Sequence, residues 1–81
     1  MQVVLYTTTY CSYCDAAKKL LATRGVSFRE IDLTEDAALR QQVSQRAGHY
    51  RTVPMIFIDD QFMGGYTELV ALDRAGKLPT K

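Results

Sequence analysis

Cys11 and Cys14 are the two cysteines of this 81-residue chain, separated by Ser12 and Tyr13. Two thiols at that spacing can be half of a zinc site or a redox dithiol. A closed structural zinc site needs four ligands, and beyond this pair the chain offers only His49 and carboxylates. A stabilising cross-link is no better an account, because bridging two residues so close in sequence restricts the unfolded chain very little. Reversible thiol chemistry fits best: an exposed thiolate attacks a disulfide, and a sheltered neighbour resolves the product.

The elements around the pair support that chemistry. Val3-Val4-Leu5-Tyr6 is a short β-branched and apolar run, as expected of a buried strand. Thr7–Tyr10 forms a loop, and from Ser12 to Arg24 the pattern is helical, with Ala16, Ala17, Leu20 and Leu21 on one stripe. Gly25 stops this helix. The pair thus sits after a first strand, at the start of the first helix of a β-α-β unit, the setting of a thioredoxin-like redox motif. Unpaired N–H groups and the positive end of the helix dipole favour a thiolate there, so Cys11 is expected to have a lowered pKa and Cys14 to be the buried, resolving thiol. Asp15, in the same first turn, has two expected roles: it stabilises the helix start, or it repels a thiolate at Cys11.

Further along, Val26–Ile31 alternates in part and is expected to form a second strand. Thr34 is the expected N-cap of a second helix, with Glu35 and Asp36 in its first turn and Leu39, Val43 and Ala47 leading to Gly48. A loop at His49–Thr52 precedes Val53-Pro54 and a strand Met55–Ile58. Asp59-Asp60 is a turn, Gln61–Met63 a return strand and Gly64-Gly65 a break. A last helix from about Thr67 to Ala75 buries Leu69 and Leu72, with Val70 beside them; Gly76 and Pro79 end it, and the final residues are expected to be loose. The order β-α-β-α-β-β-α calls for a parallel pair joined by a crossover and for an antiparallel hairpin. One four-stranded mixed sheet with helices on its faces meets both demands, an α/β fold occupying residues 1–81 as one domain.

Composition narrows the function classes. The formal net charge is +1 and Lys and Arg are scattered, so neither nucleic acid nor membrane is an expected partner. The wholly apolar runs, Val3–Tyr6 and Met55–Ile58, are too short for a signal core or a membrane span. A cytoplasmic monomer is the expectation. His49, alone in a loop, is expected to be solvated.

Two other motifs carry information. Thr52-Val53-Pro54 can mark a strand start or, in a thioredoxin-like chain, a proline beside the CxxC that leaves the preceding backbone free to pair with a thiol substrate. Gly64-Gly65 can be a plain turn or a place where a ligand approaches closely while the following N–H groups bind its carboxylate.

Taken with Tyr6-Thr7 and Tyr10-Cys11-Ser12-Tyr13-Cys14, these motifs at these separations resemble a bacterial class I dithiol glutaredoxin over essentially the whole chain. The resemblance implies a thioredoxin fold with strand order 2-1-3-4. It implies glutathione as co-substrate, no tightly bound cofactor, and glutathionylated or disulfide-bonded proteins as substrates, with glutathione reductase acting indirectly. It implies Cys11 as nucleophile, Cys14 as resolving thiol and Tyr13 beside the glutathione sulfur. Thr52 and Val53 would offer backbone to the cysteinyl part, with Pro54 cis, and the amides of Gly65, Tyr66 and Thr67 would hold the γ-glutamyl carboxylate.

The chain departs from that family pattern at four places. Ser12 stands where the motif usually has Pro, and Thr8 where a Lys is common. Arg51 is the expected replacement for that Lys as partner of the glycyl carboxylate. Tyr66-Thr67-Glu68 replaces Cys-Asp-Asp or Ser-Asp-Asp, with Thr67 the expected helix cap. The segment Gly48-His49-Tyr50-Arg51 is one residue longer than usual. Two further readings follow: a redoxin reduced directly by thioredoxin reductase, and a carrier in which Cys11 of two copies and glutathione hold a [2Fe–2S] cluster, which Ser12 raises. Apart from that cluster no metal site is expected.

Overall fold

Side-chain alternation along the first strand organises both sides of the molecule. The computed structural model describes residues 2–78, and its first element is β1 (Val3–Thr7). Val3 and Leu5 point to one face of the sheet, Val4 and Tyr6 to the other. Helix α1 (Ser12–Thr23), strand β2 (Arg29–Asp32), helix α2 (Ala37–Arg46), strands β3 (Met55–Ile58) and β4 (Gln61–Gly64), and helix α3 (Tyr66–Arg74) follow. The sheet has four strands in the order β2-β1-β3-β4. β1 pairs with β2 in parallel, and the β1–β3 and β3–β4 pairs are antiparallel. This is the thioredoxin fold expected above. On one face Val3, Leu5 and Ile56 meet Ala17, Leu21 and Leu69 from α1 and α3. On the other, Tyr6, Met55 and Phe57 meet Val43 and Ala47. Asp59 and Asp60 both have positive φ, 51° and 66°, which gives the two-residue β3–β4 turn the right-handed twist of its strands.

Several element boundaries differ from expectation: β1 runs on through Thr7, expected in the loop, and β4 through Gly64, expected in the break, because both pair within the sheet. β2 begins at Arg29, not Val26, because the Val26 N–H closes α1 on Leu21 O at 2.9 Å and pairing with β1 starts only at Val4–Arg29. Val26 and Phe28 still serve the core, but from a connecting segment. α2 is capped by Asp36, whose carboxylate accepts the Leu39 N–H at 3.0 Å, so Glu35 and Asp36 precede its first turn. Thr34 is drawn elsewhere: its N–H and hydroxyl both donate to Asp32 Oδ1, at 2.8 and 2.6 Å, a local bond that competes with helix capping. α3 starts at Tyr66 with Gly65 as its N-cap, one residue before the expected Thr67. Pro79, expected to help end α3, lies outside the described residues.

Beneath the cysteine loop, β1, β2 and α1 are joined by one carboxylate. The hydroxyl of Thr7, 1% exposed, donates to Glu30 Oε2 at 2.8 Å, and Lys18 Nζ donates to the same oxygen at 3.0 Å. The Thr7 bond first, and Lys18 second, hold the Glu30 carboxyl below its ordinary 4.5. A carboxyl with a depressed pKa in the fold contributes stability at pH values above its unfolded pKa and loses it as pH falls through the folded one. Thr7→Val is therefore expected to raise the Glu30 pKa in a carbonyl NMR titration. The variant should also lose less stability between neutral pH and pH about 3 than wild type in urea melts, since less of its neutral-pH stability resides in that carboxylate. An unchanged Glu30 titration would show that the hydroxyl has no such effect.

Candidate active site

The loop between β1 and α1 is pinned before it reaches the first cysteine. Thr9 N–H donates to Thr34 Oγ1 at 2.8 Å, so the threonine that fails to cap α2 anchors this loop. Tyr10 then turns the chain with φ 56° and projects its ring fully into solvent. Cys11 follows as the N-cap of α1, extended at φ −116° and ψ 106°. Its Sγ accepts the Cys14 N–H at 3.1 Å, taking the place that a serine or aspartate oxygen holds at most helix starts. Negative charge on that sulfur meets an N–H donor and the positive end of the dipole together. Asp15 is turned toward Lys18, its carboxylate 3.5 Å from Nζ. Such exposed pairs are weak, but this one sets a cation beside the carboxylate one turn along from Cys11.

The two thiols are unequal. Cys11 is partly exposed and Cys14 is buried. Burial, and next the hydrogen bond with Cys11, push the Cys14 thiol up to about 12. Near neutral pH it is a protonated, enclosed thiol.

Beside the pair, the Val53–Pro54 peptide is cis and Val53 O accepts from the Cys11 thiol at 3.8 Å. A cavity of about 280 Å³ opens there, lined by Tyr13, Tyr50, Thr52, Val53, Pro54, Gly65, Tyr66 and Thr67. Tyr13 is 63% exposed, and its ring lies 5.9 Å from that of Tyr66. All the residues expected to meet glutathione are brought together here except Arg51. That side chain lines a neighbouring shallow basin with Arg40 and His49. Thr67 borders the cavity but does not cap α3: the Gly65 N–H is taken by Glu68 Oε1 at 2.7 Å. A larger open groove of about 670 Å³ runs from Tyr13 and Tyr66 along α3 to Arg74. Tyr50 and Glu68 are the side chains at this site whose parts sequence reasoning missed. The only sequence signal for Tyr50 was the extra residue in its loop. Among the described residues no three His, Cys, Asp or Glu side chains form a metal-binding group, and no helix is long and apolar enough to cross a membrane.

A glutaredoxin family model matches residues 3–63. This chain belongs to the glutaredoxin family. It is 47% identical over 76 residues to glutaredoxin 3 of Escherichia coli strain K12, covering 94% of this chain and 90% of that protein. A Pseudomonas aeruginosa glutaredoxin is likewise 47% identical, with 94% of this chain and 89% of the relative covered. Among solved structures, a buckwheat glutaredoxin–glutathione complex matches with a TM-score of 0.85 at 34% identity, over 94% of this chain and 71% of the other. A Brucella melitensis glutaredoxin matches with 0.82 at 42% identity, over 95% and 83%. Family and fold together make this glutaredoxin a thiol–disulfide oxidoreductase.

The inequality of its thiols is open to direct test. Iodoacetamide at pH about 8 is expected to modify one thiol of the reduced, folded protein, and peptide mapping should place it at Cys11, with Cys14 modified only on unfolding. Equal labelling of both in the folded state would contradict the burial argument.

Proposed function

We propose that this glutaredoxin uses glutathione to reduce protein–glutathione mixed disulfides and protein disulfides. The observation that carries this reading is the cavity lined by Tyr13, Thr52, Val53, Pro54, Gly65, Tyr66 and Thr67, next to the Cys11 sulfur. Thr52 and Val53 lie outside the β1–β3 ladder, which begins at Met55, so their backbone groups are available to an extended cysteinyl residue. At the other end, the N–H groups of Tyr66 and Thr67 belong to the first turn of α3, where no intrahelical acceptor exists, and suit the γ-glutamyl carboxylate.

The thiolate of Cys11 attacks the glutathione sulfur of a protein mixed disulfide, and the protein thiolate leaves and takes a proton. A second glutathione, as thiolate, attacks the glutathione sulfur now bonded to Cys11. Glutathione disulfide departs and the Cys11 thiolate is restored; glutathione reductase then returns the disulfide to two thiols. With a protein disulfide, Cys11 first bonds to one protein sulfur and the other leaves as thiolate. Cys14 then attacks Cys11 Sγ, giving up its proton as the second protein thiolate leaves, and two glutathione molecules reduce the resulting Cys11–Cys14 disulfide. The high pKa of Cys14 keeps it from competing as the attacking thiol.

Glutathione-coupled reduction of a peptide mixed disulfide tests this. Cys11→Ser is expected to lose at least about a thousandfold in turnover, as loss of a nucleophile does. Cys14→Ser should keep most of its activity on that substrate and lose it on protein disulfides. Recycling of the wild type by thioredoxin reductase, and not by glutathione, would replace this reading with that of a redoxin served by a flavoprotein.

A further inference from the structure

Among the described residues, Tyr10 and Tyr13 are the exposed large apolar side chains, and they flank Cys11. Tyr10 has φ 56°, in the left-handed region that bulky residues rarely enter and glycine enters readily. The turn is fixed from both sides. Thr9 is tied to Thr34 through its N–H at 2.8 Å and its hydroxyl at 3.3 Å, and Cys11 returns to extended backbone to cap α1. Glycine would make this turn with less strain, and the Tyr10 ring, fully exposed, covers nothing in the fold. The two tyrosines also serve different spaces. Tyr13 lines the cavity beside Val53 and Pro54, whereas Tyr10 lines neither that cavity nor the groove along α3.

We propose that Tyr10 is a specificity-determining residue: its ring meets the polypeptide half of a mixed disulfide and favours an apolar side chain next to the substrate cysteine. This rests on the glutathione reading above, which gives the cavity to the other half. Displacement at a disulfide sulfur is in line. The Cys11–glutathione S–S bond forms as the bond to the protein sulfur breaks, and that sulfur leaves with the electron pair. With glutathione in the cavity, the protein sulfur lies beyond it and the polypeptide closes over the mouth of the site. The Cα atoms of Tyr10 and Cys11 are about 3.8 Å apart, and an extended segment rises about 3.3 Å per residue. Residues beside the substrate cysteine therefore come within reach of the ring. A tyrosine held by a fixed turn gives contact area with little freedom left to lose. Charge does not compete for this surface: the first charged residue of the chain is Asp15, and it is paired with Lys18 at 3.5 Å. A neutral rim centred on an aromatic ring suits an apolar neighbour.

Steady-state kinetics on four mixed disulfides test this. Two are the glutathione adducts of a peptide with Leu on both sides of its cysteine and of the same peptide with Ser there. The others are the 2-mercaptoethanol adduct of the Leu peptide and the glutathione–2-mercaptoethanol disulfide, which has no polypeptide. Tyr10→Gly is expected to raise KM for the glutathionylated Leu peptide about threefold to tenfold with kcat nearly unchanged. It should leave the polypeptide-free disulfide unaffected, and the wild-type preference for Leu over Ser should shrink by a similar factor. Tyr10→Phe, which keeps the ring, should behave as wild type. The Tm of Tyr10→Gly should change little, since glycine accepts φ 56° and the ring has no packing to lose. Unchanged kinetics of Tyr10→Gly on the Leu peptide, or an equal loss on the polypeptide-free disulfide, would overturn the proposal. So would a rise in KM for the Leu peptide in Val70→Lys, within the α3 groove, in place of one in Tyr10→Gly. Equal use by wild type of the glutathione and 2-mercaptoethanol adducts of the Leu peptide overturns the glutathione reading, and the proposal with it.

Discussion

Helix α1 begins on a sulfur atom. The 3.1 Å bond from the Cys14 N–H to Cys11 Sγ caps the helix, orients the nucleophile and places the second thiol one turn deeper. Structure and chemistry thus share a single contact. A conventional capping residue would satisfy the same N–H, but its oxygen could not exchange disulfides. Everything nearby serves to hold that sulfur at the surface while its partner is covered. Thr9 and Thr34 tie the incoming loop to the exit of β2, and Thr7, Glu30 and Lys18 lock β1, β2 and α1 together below it.

The opposite wall of the site is held by different means. Thr52, Val53 and Pro54 present backbone because pairing of β3 starts only at Met55. The turn into α3 is crowded, not open: Glu68 lies against Gly64 and Tyr50 against Gly65. Gly64 is held to glycine by its φ of 121° and by the Glu68 side chain against it, whereas a side chain at Gly65 would displace the Tyr50 hydroxyl. Tyr50 and Glu68 meet across this turn, with the tyrosine hydroxyl 3.5 Å from Glu68 Oε1.

Much of this was legible in the chain. The helix start around Cys11 and Cys14 and the tight turn at Asp59-Asp60 depend on neighbours a few residues apart and emerged as expected. Of the apolar stripes, Ala17, Leu21 and Leu69 are buried, Leu20 and Leu72 partly so, and Val70 lines the open groove instead. Three of the misplaced boundaries share a cause. Thr34 has the right chemistry for a cap, but Asp32 captures its N–H and hydroxyl. Thr67 has it too, but Glu68 reaches back to Gly65. Val26 alternates with Phe28 as a strand residue should, yet its N–H is spent closing α1. In each case two local options competed for one backbone group, and propensity alone does not say which wins.

The motif Cys11-Ser12-Tyr13-Cys14 was sufficient for the kind of chemistry, because helix dipole, N–H donors and thiol spacing all act within one turn. It was silent on the walls of the site. Cys11 meets Val53, 42 residues away, and Tyr50 meets Glu68 across 18. Those distances are closed by sheet pairing and by the packing of both faces. Which side chain lies over Gly65, and that Arg51 faces a different basin, are products of the folded topology, since no periodicity in a chain encodes which two remote loops come to share one surface.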